Sequence, residues 1–156
     1  MALKEKLEKL KRLDEQHKEP DWESYREAWK KAIQEIQHTI MDKWFADYQE
    51  KGLMSFDIVP TKRFEPYIGE YVTSILEITL AQNRYLVLEP VSGVTSEYDG
   101  KLEFYMRGNV FKKVSILREI ISENNYHWII AKSYDMKDHL ELDKSQLEKL
   151  IDEWLQ

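Results

Sequence analysis

The feature that most constrains the fold is an apolar stripe at helical spacing between Asp21 and Lys51. Its members recur every three or four residues, the spacing of one helix face, and are Trp22, Tyr25, Trp29, Ile33, Ile36, Ile40, Trp44 and Tyr48. Asp21 is a favourable N-cap, and Gly52 is a common residue after a helix end. An unbroken helix over this segment would be roughly 45 Å long, whereas a compact chain of this size has a radius of gyration of about 15 Å. The helix is therefore predicted either to span the whole domain or to protrude from it.

A second, narrower apolar stripe precedes the long helix. It consists of leucines set among lysines and glutamates, a pattern closer to a coiled-coil seam than to a broad core face; they are Leu3, Leu7, Leu10 and Leu13. With a break at Glu19 and Pro20, residues 1–52 are predicted to form a helical hairpin. The leucines are expected to be packed, either against the long helix or against a second copy of the chain.

From residue 53 onward the apolar period changes to two, which indicates β-strands. Strands are predicted at 54–58, 70–80, 84–89, 101–107, 110–117 and 126–132, and residues 140–142 are a candidate for a short edge strand. Residues 118–121 fit either a strand extension or a helical turn. Asp143 and Gln146 then form the capping box of a last helix. The predicted fold class is α+β in one domain: an N-terminal helical hairpin with one long helix (1–52), an antiparallel meander of five to six strands (53–142) and a closing helix (143–156).

The second and third of these strands allow a register to be predicted. A three-residue connection (Gln82, Asn83 and Arg84), with Asn83 in the left-handed turn position, places the apolar residues of both strands on one face; these are Leu76, Ile78, Leu80, Leu86 and Leu88. Glu77 then lies directly opposite Glu89, with Glu103 one strand further on. Because like charges in this arrangement repel, three explanations stay open: neutralisation by cations, a slipped register, or a carboxylate pair with one raised pKa.

These three glutamates, together with Tyr105 and Arg107, define a candidate site on the polar face of the sheet. In the third explanation the carboxylate pair serves as an acid/base group or as a cation site.

Composition excludes several classes of function. The chain has no cysteine, so it has neither a thiolate metal site nor a cysteine nucleophile, as is common in a reducing cytoplasm. None of its five glycines forms a phosphate-binding loop, there is no hydrolase serine motif, and the four histidines are far apart. No apolar run approaches the roughly 20 residues that cross a bilayer. We predict a cytoplasmic protein without cofactor or metal, with no interaction with membranes and no residue assigned to catalysis.

The predicted function is non-catalytic binding of another protein, as in an inhibitor, an immunity-type protein or an adaptor subunit. The predicted docking residues are Trp22, Tyr25 and Trp29 of the long helix, because tryptophan and tyrosine often anchor interfaces. Trp44, nearer to the sheet, is expected to be core. Self-association through residues 1–51 is a second arrangement.

Two alternatives use the sheet instead of the helix. One is a small enzyme or ligand-binding domain whose site is the polar sheet face with Glu77, Glu89 and Glu103. The other is nucleic-acid binding through the basic strands 101–118, where aromatic residues alternate with cations. The net charge of −6 argues against this last function.

Overall fold

The computed structural model describes residues 2–16, 21–122, 125–132 and 139–156. Two helices begin the chain, α1 (Leu3–Gln16) and α2 (Trp22–His38). The predicted cap of α2 is present, because the Asp21 carboxylate accepts a hydrogen bond from the backbone N–H of Ser24 at 2.9 Å. The predicted break at Glu19 and Pro20 lies outside the described residues. No helix in the described part of the chain is long and apolar enough to cross a membrane.

One continuous helix was predicted as far as Lys51, but the structure divides this segment into three parts. α2 leads into a π-helical segment (Thr39–Trp44), and a short helix α3 (Ala46–Glu50) follows after Phe45. The backbone N–H of Phe45 donates to the carbonyl of Ile40 at 2.9 Å, a five-residue step that is characteristic of a π-bulge. The extra residue rotates the helix face. Phe45 is therefore fully buried, whereas Trp44 is only half-buried.

Seven antiparallel strands follow, each paired with the next along the chain. The predicted α+β class with a meander sheet is confirmed, but the strands number seven rather than five to six, because the short last strand is also paired. The strands are β1 (Met54–Glu65), β2 (Gly69–Leu80), β3 (Arg84–Ser92), β4 (Lys101–Met106), β5 (Lys113–Ser122), β6 (Asn125–Ala131) and β7 (His139–Glu141). Residues 118–121 are part of β5.

Two strands continue through prolines at which they were predicted to end. Pro60 lies within β1, which is an edge strand and has a neighbouring strand on one side only. Proline is tolerated in edge strands because part of their backbone needs no pairing partner. Pro90 lies within β3, where the pairing with β4 shifts between Pro90 and Ser92. An irregularity of this kind accommodates a residue that cannot donate a hydrogen bond.

The core lies between one face of the sheet and the helices α2 and α4 (Lys144–Trp154). In β4 the side chains alternate as predicted, with Leu102, Phe104 and Met106 buried and the intervening residues half-buried. Trp154 of α4 stacks on Phe104 with 5.4 Å between the ring centroids. The predicted cap of α4 is present: the Asp143 carboxylate accepts from the Gln146 N–H at 2.7 Å.

The far part of the β1–β2 hairpin extends past β3 and turns toward α2. At the start of β2 the buried side chains are the odd-numbered Tyr71 and Thr73, whereas from Leu76 onward the even-numbered side chains are buried, so the covered face of the strand changes. The side chain of Gln37 in α2 forms two hydrogen bonds with Ser74. Its amide N–H donates to the Ser74 carbonyl at 3.1 Å, and its amide oxygen accepts from the Ser74 hydroxyl at 3.0 Å. The hairpin therefore packs along α2 and covers Gln37, a polar residue that lies outside the apolar stripe of this helix.

α1 contacts the rest of the chain through one side only. Among residues 2–13, Lys9 and Leu13 are half-buried and the others are exposed. Burial lowers the pKa of Lys9, although the nearby Asp99 carboxylate opposes the shift. Leu3, Leu7 and Leu10 are 70%, 53% and 43% exposed. The prediction that these leucines are packed is therefore wrong for the single chain.

Candidate functional site

Trp29, predicted to contact a partner, lies in the core. Its side chain is 0% exposed, and its indole N–H donates to the hydroxyl of Tyr71 at 3.1 Å. Gly93 lies against the pyrrole part of the indole and Gly100 against the six-membered ring. The predicted placement of Trp29 is wrong because the β3–β4 loop, which carries both glycines, covers this part of α2.

A buried hydrogen-bond network continues from Trp29. The Tyr71 hydroxyl donates to the carboxylate of Glu65, which also accepts from the Gly93 N–H at 2.8 Å. The Ser92 hydroxyl, which has one proton, lies 2.9 Å from this carboxylate and 2.7 Å from the carbonyl oxygen of Val94. Burial, reinforced by the hydrogen bond to Glu65, raises the pKa of Tyr71. Because the buried carboxylate accepts from the Tyr71 hydroxyl and from the Gly93 N–H, its burial is compensated. The network holds the β3–β4 loop in place.

Trp22 and Tyr25, the other predicted docking residues, lie next to each other with 5.4 Å between their ring centroids. The Tyr25 hydroxyl is 2.7 Å from the carbonyl oxygen of Gly93, and burial raises the pKa of Tyr25 to about 12. Trp22 stacks on Tyr67 of the β1–β2 turn, also at 5.4 Å, and Tyr67 is 49% exposed. Of the predicted docking residues, Trp22 therefore forms a surface pair with a residue outside the prediction, the exposed Tyr67.

The register between β2 and β3 differs from the prediction by two residues. Leu76 pairs with Leu88 and Leu80 with Arg84, so the connecting loop is 81–83, and the positive φ of 56° falls at Ala81 rather than at Asn83. The predicted shared face of the leucines is nevertheless correct, because a slip of two residues preserves the face of every side chain.

The predicted pairing of Glu77 with Glu89 is consequently wrong. Glu77 lies opposite Val87, and it is Glu103 that lies directly opposite Glu89.

Each of these glutamates on the polar sheet face has a cation as its partner. Arg63 Nη2 lies 2.8 Å from Glu89, and Lys113 Nζ lies 3.2 Å from Glu103. Glu77 is paired with Arg107.

The Tyr105 hydroxyl donates to Glu89 at 2.8 Å. Burial raises the pKa of Glu89, but the hydrogen bonds from Tyr105 and Arg63 outweigh it, so the net pKa is lowered. A general acid would need the opposite shift. For Glu77 and Glu89 the second of the three explanations, a slipped register, is therefore the outcome, and each glutamate of this face is in addition neutralised by a cation.

Cations of the basic strands 101–118 do not form an open basic stripe. Arg107 and Lys113 are paired with glutamates, and Arg118 is 2% exposed. Val110 and Phe111, at the turn between β4 and β5, are 84% and 92% exposed. The strands therefore present two apolar side chains at their turn, while much of their positive charge is neutralised or buried.

Sequence reasoning missed two features that the structure brings forward. The first is the leucine face of α1, defined here as Leu3, Leu7 and Leu10, which was expected to be packed. The second is the buried Arg118, the last residue of the basic strands 101–118 that were considered for nucleic-acid binding. A signal for Arg118 exists in the sequence, because it continues the alternation of the buried residues Val114 and Ile116 along β5.

No protein-family model matches this chain, and neither the curated proteins nor the solved structures contain a significant match.

Proposed function

We propose that this chain is a non-catalytic protein-binding module and that its docking surface is the leucine face of α1. The observation that carries the proposal is the 70%, 53% and 43% exposure of Leu3, Leu7 and Leu10. Contiguous exposed apolar side chains commonly mark interaction sites. An isolated helix of this length is marginal in water, so a partner that covers the leucines would also stabilise α1.

Charge selects the kind of partner that fits. The three leucines follow the d, a, d spacing of a heptad, and the flanking e and g positions hold Lys4, Lys6 and Lys11. Such flanking positions set partner choice in paired helices. A second copy would place lysines against lysines, which is unfavourable. The occupant that fits is therefore an amphipathic helix with an apolar stripe and glutamate or aspartate on its flanks.

The predicted docking residues Trp22 and Tyr25 have less support than the leucine face. Tyr25 is half-buried, with its hydroxyl bonded to the β3–β4 loop. The stacked Trp22–Tyr67 pair is a secondary contact surface in this proposal.

The two alternative functions also have less support. A small enzyme or ligand-binding domain on the polar sheet face has less support because Glu77, Glu89 and Glu103 are each already paired with a cation. Nucleic-acid binding would need open cations on strands 101–118. We place the protein in the cytoplasm, on the basis of its lack of cysteine.

A designed helical peptide tests the proposal directly. The probe carries leucine at a and d and glutamate at e and g, and its counterpart carries lysine at e and g. Binding to the full chain is measured by fluorescence anisotropy. The acidic peptide should bind, and its lysine counterpart should not.

Two triple variants locate the binding surface. Binding of the acidic peptide should be lost when the three leucines are replaced together (Leu3→Ala, Leu7→Ala, Leu10→Ala). Binding should be retained in a control with three other exposed positions of the same helix replaced (Glu5→Ala, Glu8→Ala, Arg12→Ala). The proposal is refuted if the wild-type chain does not bind the acidic peptide. It is also refuted if sedimentation shows a homodimer that depends on the leucines, since the partner would then be a second copy.

A further inference from the structure

Arg118 is a cation buried among aromatic rings. Its side chain is 2% exposed, and its guanidinium carbon lies 5.0 Å from the ring of Trp29, 5.5 Å from that of Tyr126 and 5.6 Å from that of Tyr25. Contacts of this kind stabilise a cation electrostatically but satisfy none of its hydrogen-bond donors.

The hydrogen bonding of Arg118 is incomplete. Its Nε donates to the backbone carbonyl of Asp99 at 2.9 Å. The carboxylate of Asp99 accepts instead from the backbone N–H of Ile120 at 2.9 Å. Nη2 is buried and has no hydrogen-bond partner, and no described carboxylate forms an ion pair with Arg118. A buried cation without a close ion pair is unfavourable, so a further anion next to Arg118 would stabilise the folded protein.

Arg118 lines a cavity of about 270 Å³ between α2 and the paired ends of β5 and β6. Ala28, Lys31 and Glu35 contribute the helical wall, and Tyr126 lies on the opposite side. The Glu35 carboxylate already accepts from the Tyr126 hydroxyl at 2.6 Å. With Lys31 and Arg118 positive and Glu35 negative, the lining carries a net charge of 2 − 1 = +1. Since one water occupies about 30 Å³, the cavity has room for a small ion together with some water.

We infer that this cavity binds a small monocarboxylate, held by the guanidinium charge of Arg118 in its lining and with Lys31 at the rim. Guanidinium groups match carboxylates in geometry and charge. The single net positive charge of the lining favours a singly charged ion over doubly charged phosphate. The inference is independent of the docking role proposed for α1, because Arg118 and the cavity lie on α2, β5 and β6.

Acetate titration of the full-length protein tests this inference, with chloride keeping the ionic strength constant. Two-dimensional NMR follows the indole N–H of Trp29, whose ring contacts Arg118. Acetate should shift this signal saturably, and phosphate should bind more weakly. An absent or linear response to acetate, or tighter binding of phosphate, would overturn the inference.

Three variants assign the binding to the cavity. Arg118→Met keeps the apolar stem of the side chain but removes the guanidinium charge, and should weaken acetate binding at least about tenfold, as loss of an interaction with a charged group does. Ala28→Glu adds a negative charge at an exposed position of the lining and should also weaken acetate binding. Gln34→Glu adds the same charge to the same helix outside this cavity and should not.

The Ala28→Glu variant keeps the test decisive if Arg118→Met fails to fold, because Ala28 is exposed. Equal acetate affinity in Ala28→Glu and Gln34→Glu would show that the ion binds elsewhere and would overturn the inference.

Discussion

Replacing Gly100 with alanine perturbs the most tightly covered side chain of the core. A Cβ at Gly100 would lie 2.7 Å from Cη2 and 2.9 Å from Cε3 of Trp29, and closer still to Cζ3. Real Cβ contacts are almost never this short, and the indole cannot move away, because Gly93 lies against its other ring. The backbone of Gly100 also has a φ of +147°, which residues with a side chain rarely adopt.

The two effects should add. Overpacking of a core costs roughly 1–3 kcal/mol, and a residue forced into a glycine-only conformation costs a further 1–3 kcal/mol, roughly. We therefore expect Gly100→Ala to lower the free energy of unfolding by about 2–6 kcal/mol. This is a large share of the roughly 5–15 kcal/mol that stabilises a typical domain.

Two further glycine variants separate the contributions. Gly108 has a φ of +85° but nothing within 4 Å of an added Cβ, so Gly108→Ala measures backbone strain alone. Gly93 has ordinary backbone geometry, but its Cβ would lie 2.5 Å from Ile68 Cδ1 and 2.9 Å from Trp29 Cδ1, so Gly93→Ala measures overpacking alone. Each should cost less than Gly100→Ala.

Urea unfolding followed by circular dichroism measures all three variants. Adding Trp29→Phe, which removes the part of the ring that meets Gly100, should recover about 0.5–3 kcal/mol of the Gly100→Ala loss in a double-mutant cycle. If Gly100→Ala is no more destabilising than Gly108→Ala, or if the cycle gives no coupling, the loop does not pack on Trp29 as described.

Three further predictions concern the core, the sheet face and α1. Trp29→Ala should cost about 3–5 kcal/mol, and the half-buried Trp44→Ala clearly less; urea unfolding with equal losses would contradict the described burial. The pKa of Glu89 is lowered, so its carboxylate adds stability above its unfolded pKa of about 4.3, and that stability is lost as the pH falls through the folded value. Wild type and Glu89→Gln should therefore converge in unfolding free energy on acidification, whereas a constant difference would exclude this linkage. Deleting residues 1–16 should lower the unfolding free energy by less than about 1 kcal/mol, and a larger loss would show that α1 packs more extensively.

Local pattern was sufficient for the fold class. The helical period as far as His38 and the alternation in β4 predicted which side chains lie on an apolar face, but after His38 the π-helical segment buries Phe45 instead of Trp44. The caps at Asp21 and Asp143 were read from residue type alone. These features are determined within a few residues of the chain, by side-chain spacing and by hydrogen bonds to adjacent backbone groups.

Strand register was decided only by the tertiary structure. The β2–β3 pairing differs from the prediction by two residues, and the face of every leucine is the same in both registers. The apolar pattern therefore cannot distinguish them, although they place different glutamates opposite each other. The ion pairs on the polar sheet face depend on this choice.

The roles of Trp29 and Arg118 were also decided by contacts between distant segments. The helical period correctly placed Trp29 on an apolar face, but the β3–β4 loop, with Gly93 and Gly100, determines that this face is covered. Alternation along β5 places Arg118 inward, but three aromatic rings from other segments make the buried position tolerable for its charge. For Trp29 and Arg118 the local period determines the direction of the side chain, whereas the contacts that it makes depend on the tertiary structure, because the covering residues lie far away in the chain.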